Sequence, residues 1–218
     1  MNSAASPWPL HEWNGSASEF HALDLPYERA VWWCRVSEPA LILGSTQSET
    51  DVNADAAATA GIAITRRRSG GGAVFVHPQE SIWIDVTIAR DDPFWVDDVA
   101  TSMTWLGNSF VTALQPWLHT HVFTGAFDAG LDGRAVCFAS SSPGEVFAED
   151  KKLVGISQRR GRDGARFQCV VYRTWQPSEW SLLLSDSNVA MRLEQLSVAV
   201  IDADPRAVVA AVVAALPQ

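Results

Sequence analysis

The ten residues Arg66-Arg67-Arg68-Ser69-Gly70-Gly71-Gly72-Ala73-Val74-Phe75 constrain this chain more than any other stretch. The apolar run Ile62–Ile64 leads into them and Ala73–Val76 leads out, and both runs read as short strands. Three consecutive glycines between strands carry an entropic cost, because glycine loses more backbone freedom on folding than any other residue. What they offer is bare backbone whose N–H groups can close around an anion. Ser69 adds a hydroxyl and the arginines add fixed positive charge, both suited to phosphate. From composition alone, the competing reading is a flexible hairpin tip with charged flanks.

The remaining elements are read from periodicity and punctuation. Residues 1–24 read as an irregular arm with a polar, proline-containing start and no signal-peptide pattern. Val31–Val36 and Ala40–Gly44 are strand candidates separated by Pro39, and Asp51 or Asn53 can cap a helix through Thr59 that Gly61 stops. Ser81–Ile88 alternates strictly, with Ile82, Ile84, Val86 and Ile88 on one face and Trp83, Asp85 and Thr87 on the other. Asp97–Trp117 reads as a long amphipathic helix. Ala135–Phe138 and Glu145–Phe147 read as short strands, and Lys152–Arg159 pairs with Arg166–Arg173 across a glycine-containing turn. Ser178–Leu184 is a short helix, and Asp204-Pro205 opens a helix to Leu216. Strands and helices mix without regular alternation, which predicts an α+β fold: a mixed sheet packed with helices.

No apolar run approaches the ~20 residues that span a bilayer, and no membrane role is expected. Cys34, Cys137 and Cys169 are odd in number and lack metal-type spacing, so neither a disulfide framework nor a metal site is expected, and a reducing cytoplasmic setting fits. His11, His21, His119 and His121 show no metal spacing either and read as surface or loop residues. The net charge is −9, yet positions 66–68, 151–152 and 159–166 hold nine of the sixteen basic residues and a single acid. An acidic body with basic spots argues against nucleic-acid binding and for a local anion site. With no linker or repeat, residues 1–218 read as one domain.

The string RRRSGGGAVF resembles the signature loop of the lipoate-protein ligase A family, within the biotin/lipoate ligase superfamily. Leu41-Ile42-Leu43-Gly44-Ser45-Thr46-Gln47 is similar to that family's acyl-pocket segment, which implies ligand contacts for Gly44 and Gln47. Cys137-Phe138, Glu145-Val146 and then Lys152-Leu153-Val154-Gly155-Ile156-Ser157-Gln158-Arg159-Arg160 are similar to its lysine motif. The resemblance covers about residues 31–174 and implies a biotin/lipoate ligase-type catalytic domain. The roughly 44 residues after Thr174 are too few for the C-terminal accessory domain many such ligases carry.

By this resemblance Lys152 is the catalytic lysine, bridging acyl and phosphate oxygens, while Arg68, Ser69, Gly70, Gly71, Gly72, Ala73, Val74 and Phe75 hold the adenylate, with Gly155 and Ser157 beside it. Strand alternation puts Lys151 and Lys152 on opposite faces, and the spacing to Gly155 favours Lys152. The implied substrates are lipoate or octanoate with ATP and Mg2+, and the implied partner is the lipoyl carrier domain of a 2-oxoacid dehydrogenase or a glycine cleavage protein. Two alternatives stand beside this: a chain that kept the pocket and lost turnover would be a catalytically silent acyl- or nucleotide-binding module, and one branch of the family transfers octanoyl groups from acyl carrier protein through a cysteine thioester. Cys137 resembles that nucleophile, and Cys169, on the return strand, is the second candidate. Trp32, Trp33 and Trp83 are candidates for lining an acyl slot. The chain departs from the family pattern at Phe167-Gln168-Cys169-Val170, where a histidine-glycine pair is typical, and at Val76-His77-Pro78-Gln79-Glu80, where the histidine is shifted by one.

Overall fold

The strictly alternating strand becomes the centre of the molecule because both of its faces find a partner layer. The computed structural model describes residues 7–218, so the polar start over residues 1–6 lies outside the described residues. In chain order the elements are β1 (Leu10–Gly15), α1 (Ala17–Ala22), β2 (Ala30–Val36), β3 (Ala40–Leu43), α2 (Ala54–Ala60), β4 (Ala63–Arg66), β5 (Val74–Val76) and β6 (Ser81–Ala89). There follow α3 (Thr104–Leu114), β7 (His121–Val122), β8 (Val146–Ala148), β9 (Lys151–Arg160), β10 (Gly164–Tyr172), α4 (Pro177–Ser181), α5 (Ser187–Leu193) and α6 (Pro205–Ala215).

Among the described residues the strands form two sheets, one in the order β1-β2-β6-β10-β9-β8-β7 and a smaller one in the order β4-β3-β5. Ile82, Ile84, Val86 and Ile88 of β6 pack with Leu106 and Phe110 of α3 and with Val208, Val209 and Val212 of α6. Trp83, Val170 and Tyr172, on the opposite face, pack with Leu41, Ile42, Val74 and Phe75 of the smaller sheet. Each such side chain contributes about 1.5–3 kcal/mol on full burial. This is the expected α+β arrangement, with helices on one face of the large sheet and the small sheet on the other. Among the described residues no helix is long and apolar enough to cross a membrane.

Several elements differ from the sequence reading. Residues 10–22 are not an irregular arm. Leu10–Gly15 pairs in parallel with Ala30–Val36, and Ser16 and Glu19 form a capping box that starts α1. The helix expected over residues 97–117 is confined to Thr104–Leu114. Asp98 diverts the preceding segment into a turn by accepting from Ala100 N and Thr101 Oγ1, and Pro116 disfavours helix just before it. Ala135–Phe138 is not a strand: it makes one bridge, Ala73 to Val136, and then a 3-10 turn over Cys137–Ala139. The strands on either side of the glycines do not pair with each other either, since β3 lies between β4 and β5. The glycine segment therefore crosses from one edge of the small sheet to the other and is no hairpin tip.

Candidate active site

Arg67 organises the glycine segment from beneath. Its guanidinium is 3% exposed and donates to the carbonyls of Gly70 (2.7 Å), Gly72 (2.8 Å) and Ile42 (3.3 Å). Those carbonyls are drawn inward, and the N–H groups of Gly70 and Gly71 make no hydrogen bond to the described residues. Gly71 needs its missing Cβ, because its φ of +97° lies where L side chains are strained. Gly44, at the end of β3, serves a different purpose. A Cβ there would sit 1.9 Å from the Gly71 carbonyl oxygen, so the two backbones meet only because Gly44 has none. Ser69 anchors the segment to the large sheet, its hydroxyl 2.7 Å from Gln168 Oε1 and 3.1 Å from Ser157 Oγ.

Lys152 reaches the same region through an irregularity of β9. Val146 pairs with Val154 and Phe147 with Lys152, which leaves Leu153 without a partner on β8. An extra residue inverts the alternation. Without it Lys152 would share the core-facing side of Val154 and Ile156. With it Lys152 joins Gly155 and Ser157 on the opposite face, while Lys151 is exposed as expected. The ammonium of Lys152 is buried, 2.7 Å from Glu145 Oε2 and 2.9 Å from the Cys137 carbonyl, and lies over the Phe138 ring. Two of its three hydrogens are thus engaged by groups that line the cavities. Glu145 also accepts from Ser142 N and Ile156 N. Burial pushes its carboxyl above the usual range, an effect that Lys152 opposes.

Two cavities meet here. An inner slot is lined by Ile42, Val74, Trp83, Phe138 and Val170 with His21, Arg67, Gly155 and Gln168, and an outer vestibule by Gly70, Gly71, Phe127, Glu145 and Gln158. Cys137 and Ser157 line both and mark the junction. The slot is lined mostly by apolar side chains, and the vestibule offers unpaired amides to an anion. Burial pushes the Cys137 thiol up, against the pull of Lys152 and Arg67, so it keeps its proton at neutral pH.

Of the residues expected at the site, Gly70, Gly71, Val74, Gly155, Ser157 and Cys137 line these cavities, while Ser69 and Lys152 stand behind the walls, bonded to lining residues Gln168, Ser157, Glu145 and Cys137. Others take supporting places. Gln47 accepts from Gly44 N and donates to the Ala135 carbonyl, clamping two loops together. Gly72 packs against Gly133 and Val136, and Ala73 N bonds the Ala135 carbonyl. Phe75 is buried against Trp180 and gives its carbonyl to Tyr172 Oη. Arg68 is exposed beside Asp24, next to the slot in a small basic cleft with Arg159 and Arg166. His77 anchors a turn to Ser81 away from both cavities.

Two expectations are corrected. Cys169 does not face the slot: on a strand whose Gln168 and Val170 line it, it points the other way, fully buried in the helix-side core, and burial holds its thiol well above the usual range. His21 is no surface residue, being 8% exposed against Trp83 in the slot wall. Sequence reasoning also missed the roles of Arg67, Glu145 and Gln168. The spacing of Ser16 to Glu19 could have revealed α1, and with it the inward face that carries His21.

The profile of the lipoyl protein ligase A/B catalytic domain matches residues 19–215. No curated protein matches the chain in sequence. Among solved structures, protein Ta0514 from T. acidophilum with bound lipoic acid is similar at TM-score 0.71 and 18% identity, covering 95% of this chain and 83% of that one. A lipoate-protein ligase A bound with ATP is similar at TM-score 0.72 and 18% identity, with 95% and 83% covered. A bi-partite lipoate protein ligase from Thermoplasma acidophilum, solved in work on it and its E2 lipoyl domain, is similar at TM-score 0.71 and 16% identity, with 95% and 81% covered. At these identities the likeness speaks for the fold, and the profile match over most of the chain decides the rest: this chain belongs to the lipoyl protein ligase A/B catalytic-domain family.

Proposed function

We propose that the protein activates lipoate or octanoate with ATP and passes the acyl group to a lysine of a lipoyl carrier domain, of a 2-oxoacid dehydrogenase or a glycine cleavage protein. The observation that carries this reading is the junction itself. An apolar slot opens beside unpaired glycine amides, and Cys137 and Glu145, which hold the buried ammonium of Lys152, line the adjoining vestibule. The acyl chain fills the slot and its carboxylate lies at the junction near Ser157. The amides of Gly70 and Gly71 hold the phosphate, and Lys152 bridges acyl and phosphate oxygens. A carboxylate oxygen attacks the α-phosphorus and pyrophosphate leaves. The ε-amine of the acceptor then attacks the acyl carbon, AMP leaves, and the amine gives up a proton. Preorganised donors of this kind commonly contribute ~10²–10³ in rate each.

The donor set fits ATP in that the unpaired amides and the ammonium of Lys152 all favour anionic oxygens. Among the described residues no group of three His, Cys, Asp or Glu side chains is placed to hold a metal, so Mg2+ would enter on the nucleotide.

One observation favours a second reading. Cys137 lines both cavities and could carry an octanoyl thioester received from acyl carrier protein. Its raised pKa speaks against a resting thiolate. ATP–pyrophosphate exchange with lipoate, octanoate and biotin tests the ligase reading. Exchange dependent on lipoate or octanoate supports it, and absence of exchange together with a hydroxylamine-sensitive acyl-protein formed without ATP refutes it.

A further inference from the structure

His21 has no part in the chemistry above, yet its surroundings assign it one. It sits in α1 with its ring against Trp83, the centroids 5.0 Å apart, and it shares the slot wall with Ile42, Val74 and Phe138. Its Nδ1 lies 3.3 Å from Gln168 Nε2. Gln168 Oε1 accepts from Ser69 Oγ at 2.7 Å, which leaves its amide nitrogen as the end that faces His21. An amide nitrogen only donates, so Nδ1 accepts and the ring proton resides on Nε2. That Nε2 is buried and has no hydrogen-bond partner among the described residues. Burial, reinforced by Arg166, Arg67 and Arg68, pushes the His21 pKa down to about 3, so the ring is a neutral single donor at working pH.

A donor that is already buried and unpaired favours a ligand that brings it an acceptor and gains nothing from one that does not. A plain alkyl chain brings none. We propose that His21 is a specificity residue whose Nε2–H donates to an acceptor, an oxygen or a ring sulfur, carried on the acyl chain, so that acids bearing one are selected over the plain alkyl acid. This rests on the reading that the slot holds the acyl chain.

The test is calorimetric binding of octanoate, lipoate and 8-hydroxyoctanoate to the full chain and to His21→Phe, which keeps a flat ring and removes the N–H. The expected result is that lipoate, 8-hydroxyoctanoate or both bind the unmodified protein at least about tenfold tighter than octanoate, as loss of one buried hydrogen bond implies. In His21→Phe the gap should fall below about threefold, with octanoate bound as well as before or better. Equal affinities for all three acids in the unmodified protein overturn this inference and leave the acyl slot standing, whether or not the variant folds. A gap that persists in a folded His21→Phe also overturns it. If none of the three binds at millimolar concentration, the acyl reading of the slot falls and this inference with it.

Discussion

Replacing Lys152 with methionine removes the ammonium but keeps most of the stem, and its consequence for stability follows from Glu145. That carboxylate is 2% exposed and paired with Lys152 at 2.7 Å. Breaking a buried pair by deleting one partner costs about 3–5 kcal/mol, because a charge is left buried without compensation. For a chain of this size each kcal/mol shifts Tm by about 2–4 °C, so Lys152→Met should lower Tm by roughly 6–20 °C at pH 8. The loss should depend on pH. Burial already raises the Glu145 pKa above its ordinary 4.5, and without Lys152 it rises further. An acid whose folded pKa exceeds its unfolded one costs nothing below the unfolded value, and the cost grows as pH climbs through the folded one. The deficit of Lys152→Met therefore shrinks from pH 8 toward pH 5, and Glu145→Gln added to it should recover at least half of the pH 8 loss. Thermal melts of the two variants at pH 5, 6.5 and 8 measure this. A loss at pH 8 below ~3 °C, or one equal at pH 5 and pH 8, would refute the reasoning.

Two further outcomes follow from the same geometry. Gly44→Ala drives a Cβ into the Gly71 carbonyl oxygen, an overpacking that costs about 1–3 kcal/mol and a Tm loss of roughly 2–12 °C, whereas Gly70→Ala meets nothing within 4 Å and should stay within about 2 °C of the parent in the same melts. Lys151→Ala removes an exposed side chain on the far face of β9 and should leave pyrophosphate exchange within about twofold.

What the sequence made legible was the part of the fold governed by local pattern. The alternation of Ser81–Ile88, the caps of α2 and α6 and the β9–β10 hairpin are each specified by residues close in the chain, and each formed as read. Elements set by distant partners were not legible. β1 is an edge strand whose side chains alternate only between exposed and half-buried, so its existence depends on β2 accepting it. The alternation of β6 put Asp85 on the face opposite the isoleucines but not its depth: it is wholly buried because Arg166 from β10 and the Trp83 indole meet it there. At the site, RRRSGGG announced an anion cradle, but which arginine builds it depends on depth. Arg67 goes beneath the loop and Arg68 stays outside, a distinction no spacing rule carries. The spacing of three to Gly155 singled out Lys152 over Lys151, although strict strand alternation would put Lys152 and Gly155 on opposite faces. The bulge at Leu153 resolves that contradiction, and it comes from the pairing with β8, not from any residue type.

The central claim is that acyl transfer here runs through ATP and not through Cys137. Intact-mass measurement of a purified lipoyl carrier domain tests it most directly, after incubation with the protein and octanoate or lipoate, with and without ATP and Mg2+, and in parallel with Cys137→Ser. The account predicts that the carrier gains one acyl group only when ATP is present, that the adduct resists hydroxylamine as an amide does, and that Cys137→Ser yields it at a rate within about threefold, since serine keeps the size of a thiol that has no chemical task. Carrier acylated from an acyl carrier protein donor without ATP, with the modification abolished in Cys137→Ser and a hydroxylamine-labile acyl group on Cys137 of the unmodified protein, would contradict it.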